Sequence, residues 1–400
     1  MSPVSLLPIL PILLIALSVT YIVSKLLRTE YKRHRYTAVD GLRGFLATFV
    51  FLHHSAIWYF FLRTHQWGFP PSTVYSHFGP TSVALFFMIT AFLFFSKLID
   101  AYSGSFDWLK LYISRILRIM PLYLVAIGSV FVLIGFVSRF VLHEPLGNLA
   151  WEFIQWLFFI EADVNLIYGT KLLVAGVVWS LAFEWMFYFT LALNGAIFFR
   201  IKTPTAILAI TGVFLVLFTF ILYQYYPLGM WRRISPFAGG IVAAFLVRND
   251  AVRTFCSQSW LSPLLVLLLT IVLFYYPTVF EPVPYLCITV VFIAIASGNN
   301  LFGILTSRAV CLLGQISYSI YLLHGMILFF VFRFVAGFTR ATTWSPIMHW
   351  GVIAACSALV AVICSLTYHF VEKPSIDRAA AGTHRVRMFL ANLRNSDVRA

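Results

Sequence analysis

Stretches of about 20 mostly apolar residues, the length an α-helix needs to cross a bilayer, recur along this chain with only short polar breaks between them. That recurrence limits the fold before any motif is considered, because a water-soluble core cannot bury so many consecutive apolar helices. Composition agrees: 61% of the 400 residues are hydrophobic and only 10% are charged, against roughly a quarter charged in ordinary soluble domains. The expected fold class is all-α, a polytopic transmembrane helix bundle. Spans are predicted near 4–26, 40–62, 79–98, 119–141, 172–199, 204–226, 235–248, 261–277, 283–298, 310–332 and 346–371. The aromatic-rich stretch 151–168 carries Glu152, Glu161 and Asp163. Making it a full span would invert every later loop, so an amphipathic or partly re-entrant segment is expected there.

The net charge of +14 does not point to nucleic acid, which needs basic residues clustered on a water-exposed face. Here they sit in loops between apolar spans. If the loop with Arg28, Lys32, Arg33 and Arg35 faces the cytoplasm, strict alternation puts most of the 28 lysines and arginines on that side. The N-terminus is then outside and the C-terminus cytoplasmic. The partner implied is a lipid bilayer, with the cell (inner) membrane as the expected location. The first apolar stretch lacks a basic n-region and exceeds a signal-peptide core of about 7–15 residues, so it reads as a retained anchor. The expected organisation is an anchor and basic linker over 1–35, a membrane domain over 36–375 and a basic tail over 376–400 that is mobile or lies on the membrane surface. Cys256, Cys287, Cys311, Cys356 and Cys364 show no CxxC or Cys/His spacing, so no metal is expected and the thiols read as packing residues.

Ionisable groups within apolar spans are costly and therefore functional candidates. The second span opens VDGLRGFLATFVFLHHS, with Asp40, Arg43, His53 and His54 on one helix. Arg43 and His54 fall within about 20° of the same face and about 16 Å apart along the axis, while His53 is turned away and reads as packing. A guanidinium near the membrane boundary and an imidazole near its middle suit a cavity that holds an anion at its mouth and moves a proton deeper in. A buried histidine satisfied by a neighbouring helix is the competing reading of His54. Arg115 and Arg118, in SRILRIMPLY, share a helix face at the boundary of the fourth span. They suit phosphate or plain positive-inside anchoring. Glu184, deep in VVWSLAFEWMFYF, needs a cation or a proton, and would orient a histidine or partner a buried arginine. Ser317, Tyr321 and His324 share one face of a later span, as cavity wall or as a helix–helix hydrogen-bond seam. There is no GxSxG elbow and no GxxxxGK[ST] loop, which argues against serine catalysis and ATP-driven transport.

Taken in order, these motifs resemble the membrane acyltransferase-3 family. DGLRG is followed by His54 eleven residues after Arg43; then come FFMITAFLF, SRILRIMPLY, VWSLAFEWMFY, GQISYSIYLLH and YHFVEKP, over roughly 36–375. The resemblance implies about ten core helices, preceded here by one extra N-terminal span. It implies an integral membrane O-acyltransferase moving an acyl group, commonly acetyl, from acyl-CoA (acetyl-CoA) as donor substrate to a hydroxyl of a carbohydrate, a lipid-linked acceptor or another surface molecule. It further implies that Arg43 and His54 are essential and that Arg115 and Arg118 contact the donor. Asp40, Ser317, Tyr321 and His324 are then expected in the substrate cavity, and Glu184 beside the reacting groups. Thr90-Ala91 stands where the family tends to carry Ser-Gly, which questions close helix packing there. Nothing C-terminal resembles the hydrolase-like periplasmic domain of some members. The rival from another class is a transporter or exporter of a polysaccharide or lipid-linked sugar, which would also need a polar cavity between helices. No paired broken-helix repeats support it.

Overall fold

The computed structural model describes residues 1–225 and 229–397. Its helices run in chain order as α1 (Ile9–Leu26), α2 (Thr37–Thr64), α3 (Thr73–Phe78), α4 (Pro80–Asp100), α5 (Trp108–Val137) and α6 (Leu146–Leu157). After a short 3-10 turn at Thr170–Val174 come α7 (Trp179–Ile197), α8 (Thr205–Tyr225), α9 (Met230–Leu246), α10 (Asp250–Cys256), α11 (Ser262–Tyr275) and α12 (Pro282–Ala296). The chain ends with α13 (Arg308–Gln315), α14 (Ser317–Phe330), α15 (Phe338–Thr342), α16 (Pro346–Thr367), α17 (Lys373–Asp377) and α18 (Ala379–Asp397). This is a polytopic helical bundle, as its apolar periodicity requires.

Seven helices among the described residues are long and apolar enough to cross a membrane, or eight if the bent pair around α10 and α11 forms one span. The shortfall from the eleven expected spans falls on α7, α9 and α12. Helices α9 and α12 have 17 and 15 residues, short of the roughly 20 that a span needs. Helix α7 has Ser180, Glu184 and Asn194 among its residues, and its predicted start at 172 is replaced by the 3-10 turn and by Ala175 and Gly176 in left-handed conformation. The 151–168 stretch holds the end of the 12-residue α6 and then loop, so it does not span. The last residue of the span predicted over 204–226 lies outside the described residues.

The C-terminal segment departs from expectation. The bundle's last helix continues through a π-helical stretch, Tyr368–Glu372, into α17 and α18. Helix α18 packs on α5, and Arg387 pairs with Asp107, the residue that caps α5 through the Lys110 N–H. The segment expected to be mobile or on the membrane surface is thus a docked helix over its described length; Arg399 lies outside the described residues.

Helix α2 is buried along most of its length, against α3, α4, α13 and α14. Its start meets other backbone closely: a Cβ on Gly41 would lie 1.9 Å from the carbonyl oxygen of Leu305, in the 3-10 turn Ile304–Thr306 before α13, and one on Gly314 of α13 would lie 2.0 Å from that of Asp40. These glycines hold the start of α2, and with it Asp40 and Arg43, against the break at Ile316 between α13 and α14. Gly314→Ala is expected to lower the thermal midpoint of the detergent-solubilised protein, at an overpacking cost of about 1–3 kcal/mol. An unchanged midpoint would mean that the two helices part freely. A second close crossing joins α4 to α9, where a Cβ on Gly240 would meet the Met88 oxygen at 2.1 Å and the Ala91 side chain at 2.8 Å. The close packing put in question by Thr90-Ala91 is therefore present, with the glycine on the partner helix.

Candidate active site

The start of α2, the first turns of α5, the middle of α4 and α7, and the α13–α14 break together enclose a cavity of about 830 Å³. Its lining includes Arg28, Lys32, His34, Asp40, Arg43, Lys97, Arg115, Arg118 and Lys373. Seven lysine and arginine side chains line it against four carboxylates, so the cavity favours a polyanion.

Helix α5 begins at Trp108 rather than near 119, which places Arg115 and Arg118 inside a helix whose wall faces this space. Neither guanidinium forms an ion pair among the described residues. Arg115 stacks over the Phe94 ring at 5.0 Å, and its buried Nε has no hydrogen-bond partner. Gln315 Oε1 and Ser317 Oγ, also on the cavity wall, are likewise buried and unpaired. Unsatisfied buried polar atoms are expensive, and these three, without a partner among the described residues, lie around one cavity. Arg43 is only loosely balanced by Asp40, 3.8 Å away, because Asp40 also accepts hydrogen bonds from Tyr31 and from His34 Nε2, at 2.9 and 2.6 Å.

Glu184 lines the same cavity, and its carboxylate accepts from the Tyr188 hydroxyl and from Thr90 Oγ1 at 3.2 Å. It touches neither histidine nor arginine within ion-pair distance among the described residues, so it does not orient His54. Thr90, noted only as a departure from the family's Ser-Gly, and Tyr188 could not be recognised as partners of Glu184, because single hydroxyls in an aromatic helix leave no periodic signal. The fold holds α7 in place from its start: Glu161, in the connection before it, accepts the Val178 N–H at 2.9 Å. Desolvation pushes the Glu161 carboxyl up to about 7, with that hydrogen bond and Lys171 pulling the other way.

Tyr321 and Ser317 line the cavity. Tyr321 shares a 2.8 Å hydrogen bond with Ser180 and donates to the Val177 carbonyl. His54 and His324 do not line it. At one edge of the lining, Val83, Phe86 and Tyr321 pack in a cluster with Trp67, which is not part of the lining, and the Trp67 ring lies nearly parallel to that of His54, centroids 6.1 Å apart. Arg43 therefore lines the cavity and His54 does not; Trp67, which touches the His54 ring, packs with Phe86 and Tyr321 of the lining. His53 is bound to the Tyr75 carbonyl at 2.6 Å, a packing role. His324 is wholly buried with its Nε2 2.9 Å from His54 Nδ1, so its place is a helix–helix seam rather than the cavity wall. A further buried carboxylate, Glu372, accepts from Ser319, which in turn accepts from Thr367 at 3.1 Å. It stands in the quoted YHFVEKP motif, where an acid among apolar residues was the available signal.

A basic, partly apolar cavity thus enters the helical bundle, with the buried His54 outside its lining. Residues 36–366 match the acyltransferase domain of the acyltransferase-3 family (Acyl_transf_3). The chain therefore belongs to the acyltransferase-3 family and is an integral membrane acyltransferase. No curated protein and no solved structure matches it.

Proposed function

We propose that the protein is an acyl-CoA-dependent O-acyltransferase, moving an acyl group, acetyl first among them, to a hydroxyl of a carbohydrate or lipid-linked surface molecule. The observation that carries this reading is that Arg115 and Arg118, which have no ion-pair partner among the described residues, line one cavity together with five further lysines and arginines and with apolar and aromatic side chains such as Val83, Phe86 and Leu181. That combination suits a donor with phosphates at one end and an uncharged acyl-pantetheine arm at the other. In this reading the mouth faces the cytoplasm of the cell (inner) membrane, and Arg43, Arg115 and Arg118 bind phosphate through charge-assisted hydrogen bonds.

The acyl group passes the Phe86–Tyr321 edge when those rings and Trp67 turn aside, and meets the acceptor hydroxyl at His54. His54 takes the hydroxyl proton as the new ester C–O bond forms and the C–S bond breaks, and returns it to the departing sulfur. Glu184, held by Tyr188 and Thr90, sets the charge of the cavity rather than acting on His54.

The test is incubation of the purified protein in nanodiscs with [1-14C]acetyl-CoA and a membrane-glycan extract. Alkali-labile label in the extract, with free thiol released in equal amount, is the expected result. Sugar flux through proteoliposomes without thiol release would establish the transporter instead.

A further inference from the structure

The chain of hydrogen bonds behind His54 fixes which of its nitrogens can act. His324 Nδ1 lies 2.9 Å from the Ile320 carbonyl, an oxygen that only accepts, so this nitrogen carries a proton. In the neutral ring the other nitrogen, Nε2, is then an acceptor, and it faces His54 Nδ1 at 2.9 Å. His54 Nδ1 must therefore carry the proton, a requirement reinforced by the Val50 carbonyl at 3.0 Å. The consequence falls on the far side of the ring: His54 Nε2 keeps its lone pair, and it has no hydrogen-bond partner among the described residues.

We infer that His324 is a positioning residue for the acyl transfer, a neutral imidazole in the place where many hydrolytic sites use a carboxylate to orient the base. This inference rests on the acyltransferase reading above and names the group that Glu184 was expected to be. It costs the membrane interior no charge, which suits a site with both rings buried. During transfer the acceptor hydroxyl gives its proton to His54 Nε2, the C–O bond forms as C–S breaks, and the same proton passes to the sulfur. Throughout, His54 Nδ1–H remains donated to His324, which steadies the imidazolium between the two proton movements and never touches substrate.

Three variants and one spectrum test the assignment. His324→Gln places an amide oxygen where Nε2 stood and is expected to keep kcat within about tenfold of the parent. His324→Asn, one bond too short to reach His54, and His324→Leu are expected to lose roughly a hundredfold in kcat with the KM for acyl-CoA unchanged. Equal loss in Gln and Asn variants, or an unchanged Leu variant, would overturn the role, as would a rise in KM in place of the fall in kcat. Solid-state 15N spectra of the unmodified, histidine-labelled protein should show His54 protonated at Nδ1. Protonation at Nε2 overturns the inference even if every variant fails to fold. If the parent itself transfers no acyl group, it is the acyltransferase reading that falls; if it transfers through His54 while the Leu variant keeps its rate, only this inference does.

Discussion

His54→Ala is expected to reduce acyl transfer by at least about a thousandfold, near the upper part of the 10²–10⁴ range for loss of a general base, while leaving membrane insertion intact. The side chain hydrogen-bonds within its own helix turn and to His324, and its neighbours Val50, Phe51 and Ser55 are held by packing independent of it. The variant should therefore elute as a single species and, in the proposed reading, retain acyl-CoA binding, because that reading puts the donor's phosphates at Arg43, Arg115 and Arg118, away from His54. Steady-state rates and CoA binding on the same preparation check it. Near-parental activity in a well-folded variant would remove His54 from the chemistry.

The second large effect belongs to the arginines of α5. Arg115→Gln and Arg118→Gln each remove one charge-assisted contact, worth about 1.5–3 kcal/mol, which corresponds to roughly a 10- to 100-fold rise in the KM for acyl-CoA. Because these groups act on the donor rather than on the reacting carbonyl, kcat should change little. Arg115 should show the larger effect, being buried against Phe94 with an unpaired Nε. Raising salt should weaken donor binding in the parent and less so in the variants. A fall in kcat at constant KM would place these residues in the chemical step instead.

Helical periodicity was enough to put Arg43 and His54 on one face of α2, and intramembrane charge was enough to single out Glu184, Arg115 and Arg118. Periodicity could not reveal that Phe86, from α4, and Trp67, from the loop after α2, would pack in one cluster with Tyr321, with Phe86 in the cavity lining and Trp67 against His54. Such contacts are tertiary, and aromatic residues are too common in this chain to mark one ring among many. The partner of His54 was missed for the same reason: the spacing of Ser317, Tyr321 and His324 gives a polar face, but only the packing of α14 on α2 decides that Tyr321 meets the cavity and His324 meets a histidine. Helix count was overread where short helices such as α9 and α12 are apolar yet shorter than a bilayer is thick. The C-terminal helix was underread, because its polar composition gives no sign of the docking surface that α5 provides.

The account's central claim is that an acyl-CoA lies with its phosphates at the α5 arginines and its acyl group at the inner end of the cavity. A photoreactive acyl-CoA carrying a diazirine on the acyl chain, applied to the purified protein and mapped by peptide mass spectrometry, tests this directly. The account predicts crosslinks to peptides containing Val83, Phe86 and Tyr321, competed away by unlabelled CoA and weakened in Arg115→Gln. Labelling confined to lipid-facing helices, or unaffected by CoA, would contradict it.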